Sequence, residues 1–143
     1  MTLETGASIP DLMKRPTAVA MFRFSAVMWN AHRTHIDHPY ATEVEGHKST
    51  LAQDYLLATY ISEMLIKWGG PHSRVTRLSY RNRGPVHANT DVRCWGRITA
   101  VEKVPGGTKV DLDVGIDNAE GRTCVPGRAT IVLSDKDGPQ VVQ

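Results

Sequence analysis

The sequence predicts an α+β domain in which an antiparallel sheet curls around one long helix, and three observations predict it. Residues 51–68, LAQDYLLATYISEMLIKW, run for eighteen residues without glycine or proline before Gly69, Gly70 and Pro71 stop them. This stretch is apolar over more of its circumference than a surface helix needs, so it is built to be wrapped. After Pro71, apolar and polar residues alternate at period two in several runs separated by turn residues, the pattern of half-buried strands.

The elements follow in order. Residues 1–16, with Gly6, Pro10 and Pro16 and little periodicity, read as a surface arm ahead of a single domain over 17–143. Thr17 to Phe24 suits a first strand, and Ser25 can then cap a short helix reaching about Thr34. In the long helix, Thr50 followed by Gln53 has the capping-box pattern, and Asp54 complements the positive helix end. Leu51, Tyr55, Ala58, Leu65 and Trp68 share its buried face, which Leu57, Ile61 and Met64 widen. Val75 to Arg83 is strand-like. Val92, Cys94, Gly96, Ile98 and Ala100 alternate with polar or large neighbours, as do Val110, Leu112, Val114 and Ile116, then Ala129, Ile131 and Leu133. Pro105-Gly106-Gly107 and Asn118-Ala119-Glu120-Gly121 are short turn segments, so these strands pair as hairpins. A sheet wrapped on one helix in this way is the hotdog arrangement.

Composition narrows the function classes. With 143 residues, one core is expected, and 17 Lys plus Arg against 15 Asp plus Glu leave a net charge of +2, too weak a field to imply nucleic acid or an anionic membrane as partner. Cys94 and Cys124 lie thirty residues apart inside strand-like runs without metal spacing, which suits reduced, packed thiols. No charged-then-apolar leader and no membrane-length apolar run are visible, so a cytoplasmic protein is expected.

Chemistry concentrates between Trp29 and Ala41, WNAHRTHIDHPYA. His32, His35 and His38 fall three residues apart with Asp37 between the last two, and Pro39 ends any helix there. Histidines where a short helix breaks into a loop are well placed for acid–base work, although on the residues alone capping the helix end or a loop carbonyl is the favoured reading. The same cluster offers zinc ligands, but the proline bend and the lack of a distant ligand pattern count against it. No metal and no cofactor are expected.

These residues resemble the MaoC-like family of R-specific enoyl-acyl hydratases and dehydratases, whose signature runs Gly-Asp-x-Asn-Pro-x-His. Setting His35 on the signature histidine places Asn30 on the aspartate, His32 on the asparagine and Ala41 on the following small residue. FRFSAVMWNAHRTHIDHPYA with EGHKSTLAQ is most similar to the branch of mitochondrial-type 3-hydroxyacyl thioester dehydratases and mesaconyl-CoA hydratases. RNRGPVHANTDVRCWGRI from Arg81 and TCVPGRATIVL from Thr123 resemble later pieces of the same family. The resemblance spans roughly residues 17 to 134. Two departures stand out: Asn30 replaces the usual aspartate, and Gln53-Asp54-Tyr55 replaces a His-Gly-Pro whose glycine amide donates to the thioester carbonyl.

The resemblance implies a hotdog hydratase or dehydratase that interconverts enoyl and 3-hydroxyacyl thioesters, carried on coenzyme A or a carrier protein. His35 is then the acid–base residue, Asn30 holds the water without taking its proton, and Gln53 and Asp54 lie at the substrate. Arg74, Arg77, Arg81, Arg83, Arg93 and Arg97 read as a cluster on neighbouring strand regions, from which Arg81 and Arg83 are candidates for substrate phosphates. Asp54 supports an alternative, a hotdog thioesterase with a carboxylate on the central helix; a non-catalytic hotdog subunit is a third reading. Another hotdog unit, a copy or a different chain, is expected as partner, because a lone sheet leaves an edge exposed.

Overall fold

The computed structural model describes residues 3–136. Nine elements follow in order: β1 (Ser8–Lys14), α1 (Ala18–Val27), a 3₁₀ turn (Arg33–His35), a π turn (Tyr40–Val44), α2 (Asp54–Gly69), β2 (Arg74–Tyr80), β3 (Val92–Val104), β4 (Gly107–Asp117) and β5 (Thr123–Ser134). The strands form one antiparallel sheet in the order β1-β3-β4-β5-β2. Its concave face holds α2, as the hotdog expectation requires. Leu57, Ile61, Met64, Leu65 and Trp68 of α2 are buried against Val92, Cys94, Ile98, Val110, Leu112, Val114, Ile116, Ala129, Ile131 and Leu133, the inward residues of the three long strands. Their period of two puts one face of each strand in the core. The helix ends where expected: Gly70 adopts φ 87° and its amide donates to Ile66 O at 2.9 Å. Both cysteines are free and buried, and burial pushes the Cys94 thiol up to about 12.

The first third of the chain departs from the expectation. Residues 1–16 are not an arm where they are described: Ser8–Lys14 is an edge strand paired with β3, and Pro10 sits in the register shift between Ile9 and Leu12, where no ladder hydrogen bond is lost. Thr17–Phe24, expected as a strand, is mostly helix, because Thr17 Oγ1 accepts the amide of Ala20 at 3.1 Å and starts a turn. Met21 and Ser25 are the buried positions of α1, four residues apart on one helical stripe. Ser25 therefore lies inside the helix and does not cap it. The chain leaves α1 through Trp29, a non-glycine residue at φ 51°.

The start of α2 also differs. Thr50 does not cap it, since residues 50–52 pair with 86–88: Ala52 N donates to Val86 O at 2.8 Å and Ala88 N to Thr50 O at 2.9 Å. The helix begins at Asp54 with Gln53 as a cap residue whose side chain bonds none of the helix's own amides. Tyr55, assigned to the buried face, is 59% exposed, and Leu56 and Tyr60 are buried in its place.

Candidate active site

Three peptide segments meet at the N-terminal end of α2: the 3₁₀ turn with its flanks, the extended residues 50–52, and the irregular residues 82–88. His35 stands at the junction. Its Nδ1 lies 2.8 Å from the carbonyl oxygen of Leu51, and Leu51 N in turn donates to Thr34 O at 3.0 Å, so the two segments are locked together. A carbonyl oxygen can only accept, so Nδ1 carries the hydrogen and Nε2 of the neutral ring is left with its lone pair. This is the tautomer a general base needs, and the ring is half-buried.

Asn30 is held on the other side of the same turn. Its backbone amide donates to Ser25 O at 2.9 Å, and its Oδ1 accepts the amide of His32 at 3.1 Å. Among the described residues no hydrogen bond joins the Asn30 and His35 side chains. The Asn30 side chain borders an apolar hollow of about 200 Å³ walled by Phe22, Ala26, Trp29 and Ile36. His32 accepts the Thr34 amide at 3.2 Å on Nδ1, with its ring centroid 5.7 Å from that of His35.

The other members of the cluster serve the turn. Asp37 receives Arg33 Nη2 at 2.7 Å and the Tyr40 amide at 3.1 Å, and these bonds, Arg33 first, hold its carboxyl below the usual carboxylate range. Arg33 also lies over the Tyr40 ring. His38 is exposed beside Pro39. Among the described residues no group of three His, Cys, Asp or Glu is arranged to hold a metal ion.

Gln53, expected at the substrate, points instead into the core. It is fully buried, and its Nε2 donates to Met21 O and Ser25 Oγ, both at 2.8 Å, tying α1 to the start of α2. Asp54 is exposed, and its Oδ1 accepts the Tyr55 amide at 3.0 Å. The carboxylate thus serves its own helix end.

The arginines do not form one cluster. β2 and β3 lie three places apart in the sheet, so Arg93 and Arg97 are remote from Arg81 and Arg83. Arg93 bridges Asp11 at 3.0 Å and Asp117 at 2.7 Å, and Arg97 donates to Gly6 O. Arg81 and Arg83 continue beyond β2 along β5, where their amides donate to Pro126 O and Cys124 O. Arg83 borders a cavity of about 330 Å³ whose opposite wall is Leu51, Ala52 and Leu57, with His47 beside them. Two contributors had no signal in the sequence: the Leu51 carbonyl, a backbone group, and His47, which enters only through the path of the loop before α2.

The sequence and the fold are matched in known proteins. Residues 7–88, more than half of the chain, match the family of hydroxyacyl-thioester dehydratases type 2. A mesaconyl-C(4)-CoA hydratase of Chloroflexus aurantiacus is 31% identical over 107 residues, covering 73% of this chain and 34% of that protein. The chain therefore spans about a third of that relative's length. Among solved structures, the (R)-hydratase of A. caviae superposes with a TM-score of 0.82 at 24% identity, over 92% of this chain and 98% of that one. The R-hydratase PhaJ1 of Pseudomonas aeruginosa gives 0.81 at 21%, over 99% and 93%. The ChsH1–ChsH2 complex of Mycobacterium tuberculosis gives 0.80 at 18%, over 92% and 99%. With its five-stranded sheet around α2 and its match across β1, the histidine turn and α2, the chain belongs to the hydroxyacyl-thioester dehydratase type 2 family of hotdog proteins.

Proposed function

We propose that this chain interconverts enoyl and 3-hydroxyacyl thioesters by adding or removing water, with His35 as the acid–base residue. The observation that carries the reading is the bond between His35 Nδ1 and Leu51 O, which leaves Nε2 as the basic atom beside the N-terminal end of α2. In hydration, Nε2 takes a proton from the water whose oxygen joins the β-carbon, the C=C pair moves to the α-carbon and thioester oxygen as an enolate, and the imidazolium returns the proton to the α-carbon. Asn30 orients that water through its amide and takes no proton. Charge growing on the thioester oxygen meets the first-turn amides of α2, the positive end of the helix dipole. The Asp54 amide is the candidate donor there, and its carboxylate has no part in the step. Family membership and the mesaconyl-C(4)-CoA hydratase relative support the same reaction class.

The site is completed by a second hotdog unit. Phe22, Val27, Met28, Trp29 and Ile36 are exposed at 62%, 82%, 48%, 93% and 44%, and Phe22, Trp29 and Ile36 line the hollow that Asn30 borders. So much apolar surface at one place marks a contact face. The ChsH1–ChsH2 and HadBC structures, both complexes, share the fold and support such a partner. Product analysis on a panel of enoyl thioesters tests the activity. A 3-hydroxyacyl thioester as product supports hydration; free thiol as the sole product overturns it in favour of hydrolysis.

A further inference from the structure

Among the described residues Gln53 is the most completely buried polar side chain, at 0% exposure. Its orientation is fixed by its partners. Two acceptors, Met21 O and Ser25 Oγ, lie 2.8 Å from one end of the carboxamide, and a carbonyl oxygen cannot donate, so that end is Nε2. Oε1, at the other end, has no hydrogen-bond partner among the described residues. A buried acceptor left unpaired costs stability, and an apolar side chain of similar volume would avoid that cost. Stability alone therefore does not account for a glutamine here.

What the glutamine supplies is the closing link of a circuit. Its Nε2 donates to Ser25 Oγ, Ser25 O accepts the Asn30 amide at 2.9 Å, and Asn30 Oδ1 accepts the His32 amide at 3.1 Å. His32 Nδ1 accepts the Thr34 amide at 3.2 Å, Thr34 O accepts the Leu51 amide at 3.0 Å, and Leu51 stands two residues before Gln53 in the chain. Asn30 and His35 hang from this one frame, His35 on the Leu51 side and Asn30 on the Gln53 side. The two sides are not equally supported. On the Leu51 side the backbone pairs further, Ala52 N with Val86 O and Ala88 N with Thr50 O. On the other side the buried positions of α1 are Met21 and Ser25, the two residues that Gln53 bonds, and the chain then leaves α1 through Trp29 at φ 51°. The place of α1, and of the Asn30 that follows it, thus depends on one side chain.

We propose that Gln53 is a positioning residue for hydration: by anchoring α1 to the start of α2 it sets where Asn30 stands relative to His35. It touches no substrate itself. The inference rests on the hydration reading for the role of Asn30. Gln53→Met keeps the volume and removes both donors together with the unpaired acceptor. Met21 O then still accepts its helical amide, and the Ser25 hydroxyl can turn to donate to it, so no new buried group is orphaned. The variant is therefore expected to be at least as stable as wild type and less active, because a shift of about 1 Å in a positioning group costs up to roughly 100-fold in rate.

Three measurements on the full chain test it: the thermal midpoint, kcat and KM on the preferred enoyl thioester, and amide hydrogen exchange by NMR. Gln53→Met is expected to keep or raise the midpoint, to lower kcat by roughly 10- to 100-fold, and to leave KM near that of wild type. The amides of Asn30 and His32 should exchange roughly tenfold or more faster, with those of β3, β4 and β5 unchanged. Adding Asn30→Leu to Gln53→Met should cost less than it does in wild type, because the anchor is already displaced. A folded Gln53→Met with wild-type kcat, unchanged exchange at Asn30 and His32, or full additivity with Asn30→Leu overturns the proposal. If Gln53→Met does not fold, Ser25→Ala carries the test; it deletes one acceptor, the same changes are expected at smaller size, and wild-type behaviour again overturns the proposal. The two readings fail separately. If wild type hydrates no enoyl thioester, the hydration reading falls, and exchange alone decides the anchor: faster exchange at Asn30 and His32 in Gln53→Met upholds it, and unchanged exchange removes it.

Discussion

His35 Nδ1 and the Leu51 carbonyl oxygen, sixteen residues apart in sequence, stand 2.8 Å apart at the threshold of α2. The contact sets both the tautomer and the aim of the imidazole, and the chemical predictions depend on it.

The first prediction concerns Asn30. Asparagine can anchor a water but cannot ionise, so Asn30→Asp should retain hydration, with a second titrating group altering the pH–rate profile. Asn30→Leu removes the anchor and the bond to the His32 amide, and should lower turnover by roughly tenfold or more. Initial rates across pH for the three proteins check this. Equal rates in wild type and Asn30→Leu would remove Asn30 from the site.

Asp54 separates hydration from hydrolysis. Its carboxylate accepts its neighbour's amide, and a hydratase needs at most the backbone amide, which asparagine keeps. Asp54→Asn should therefore sustain hydration, abolish any release of free thiol, and cost about 0.3–1 kcal/mol of stability through the lost helix-end charge. Loss of hydration in a normally folded variant would mean that the carboxylate, not the amide, faces the substrate.

How much of this was legible in the sequence depended on the kind of signal. Val92–Ile98, Val110–Ile116 and Ala129–Leu133 alternate inward apolar residues at period two, and α2 has a clear glycine stop, so the sheet, the central helix and the hairpins could be read directly. The stretch before Gly46 could not. Pro10 argued against a strand, but β1 is an edge strand with a shifted register that tolerates it. The apolar run after Thr17 looked like a strand because its helical stripe has only two buried positions, Met21 and Ser25. The motif singled out His35 and Asn30 as candidates, and the structure sets both on the turn between α1 and residue 36. Gln53 was misplaced because nothing in the local sequence reveals that α1 would pack against it, and the six arginines were separated by strand order, which periodicity does not give.

Asp117 makes a stability prediction. Burial pushes its carboxyl up, but bonds from Arg93, Thr123 and Trp95 outweigh that and hold it below the usual carboxylate range. A carboxyl depressed on folding contributes stability that is present above its unfolded pKa of about 3.9 and is lost as pH falls through the lower folded value. Asp117→Asn should cost roughly 1–3 kcal/mol at pH 7, with the difference from wild type shrinking below about pH 4. Urea midpoints at pH 7 and pH 3 check it; a difference that is the same at both would contradict the linkage.

The apolar face at Phe22, Val27 and Trp29 makes an assembly prediction. The chain should sediment as more than a monomer, alone or with a second hotdog chain, and Trp29→Ser with Val27→Ser should shift it towards monomer. A fully active monomer at working concentration would contradict this.

The most direct measurement is the hydration rate of the preferred enoyl thioester by wild type and by His35→Ala, each confirmed folded by circular dichroism. If Nε2 of His35 is the acid–base atom, the variant should lose roughly 10²- to 10⁴-fold in turnover while still binding substrate. A near-normal rate in His35→Ala would contradict the account and shift the base to another residue of the turn or to a partner chain.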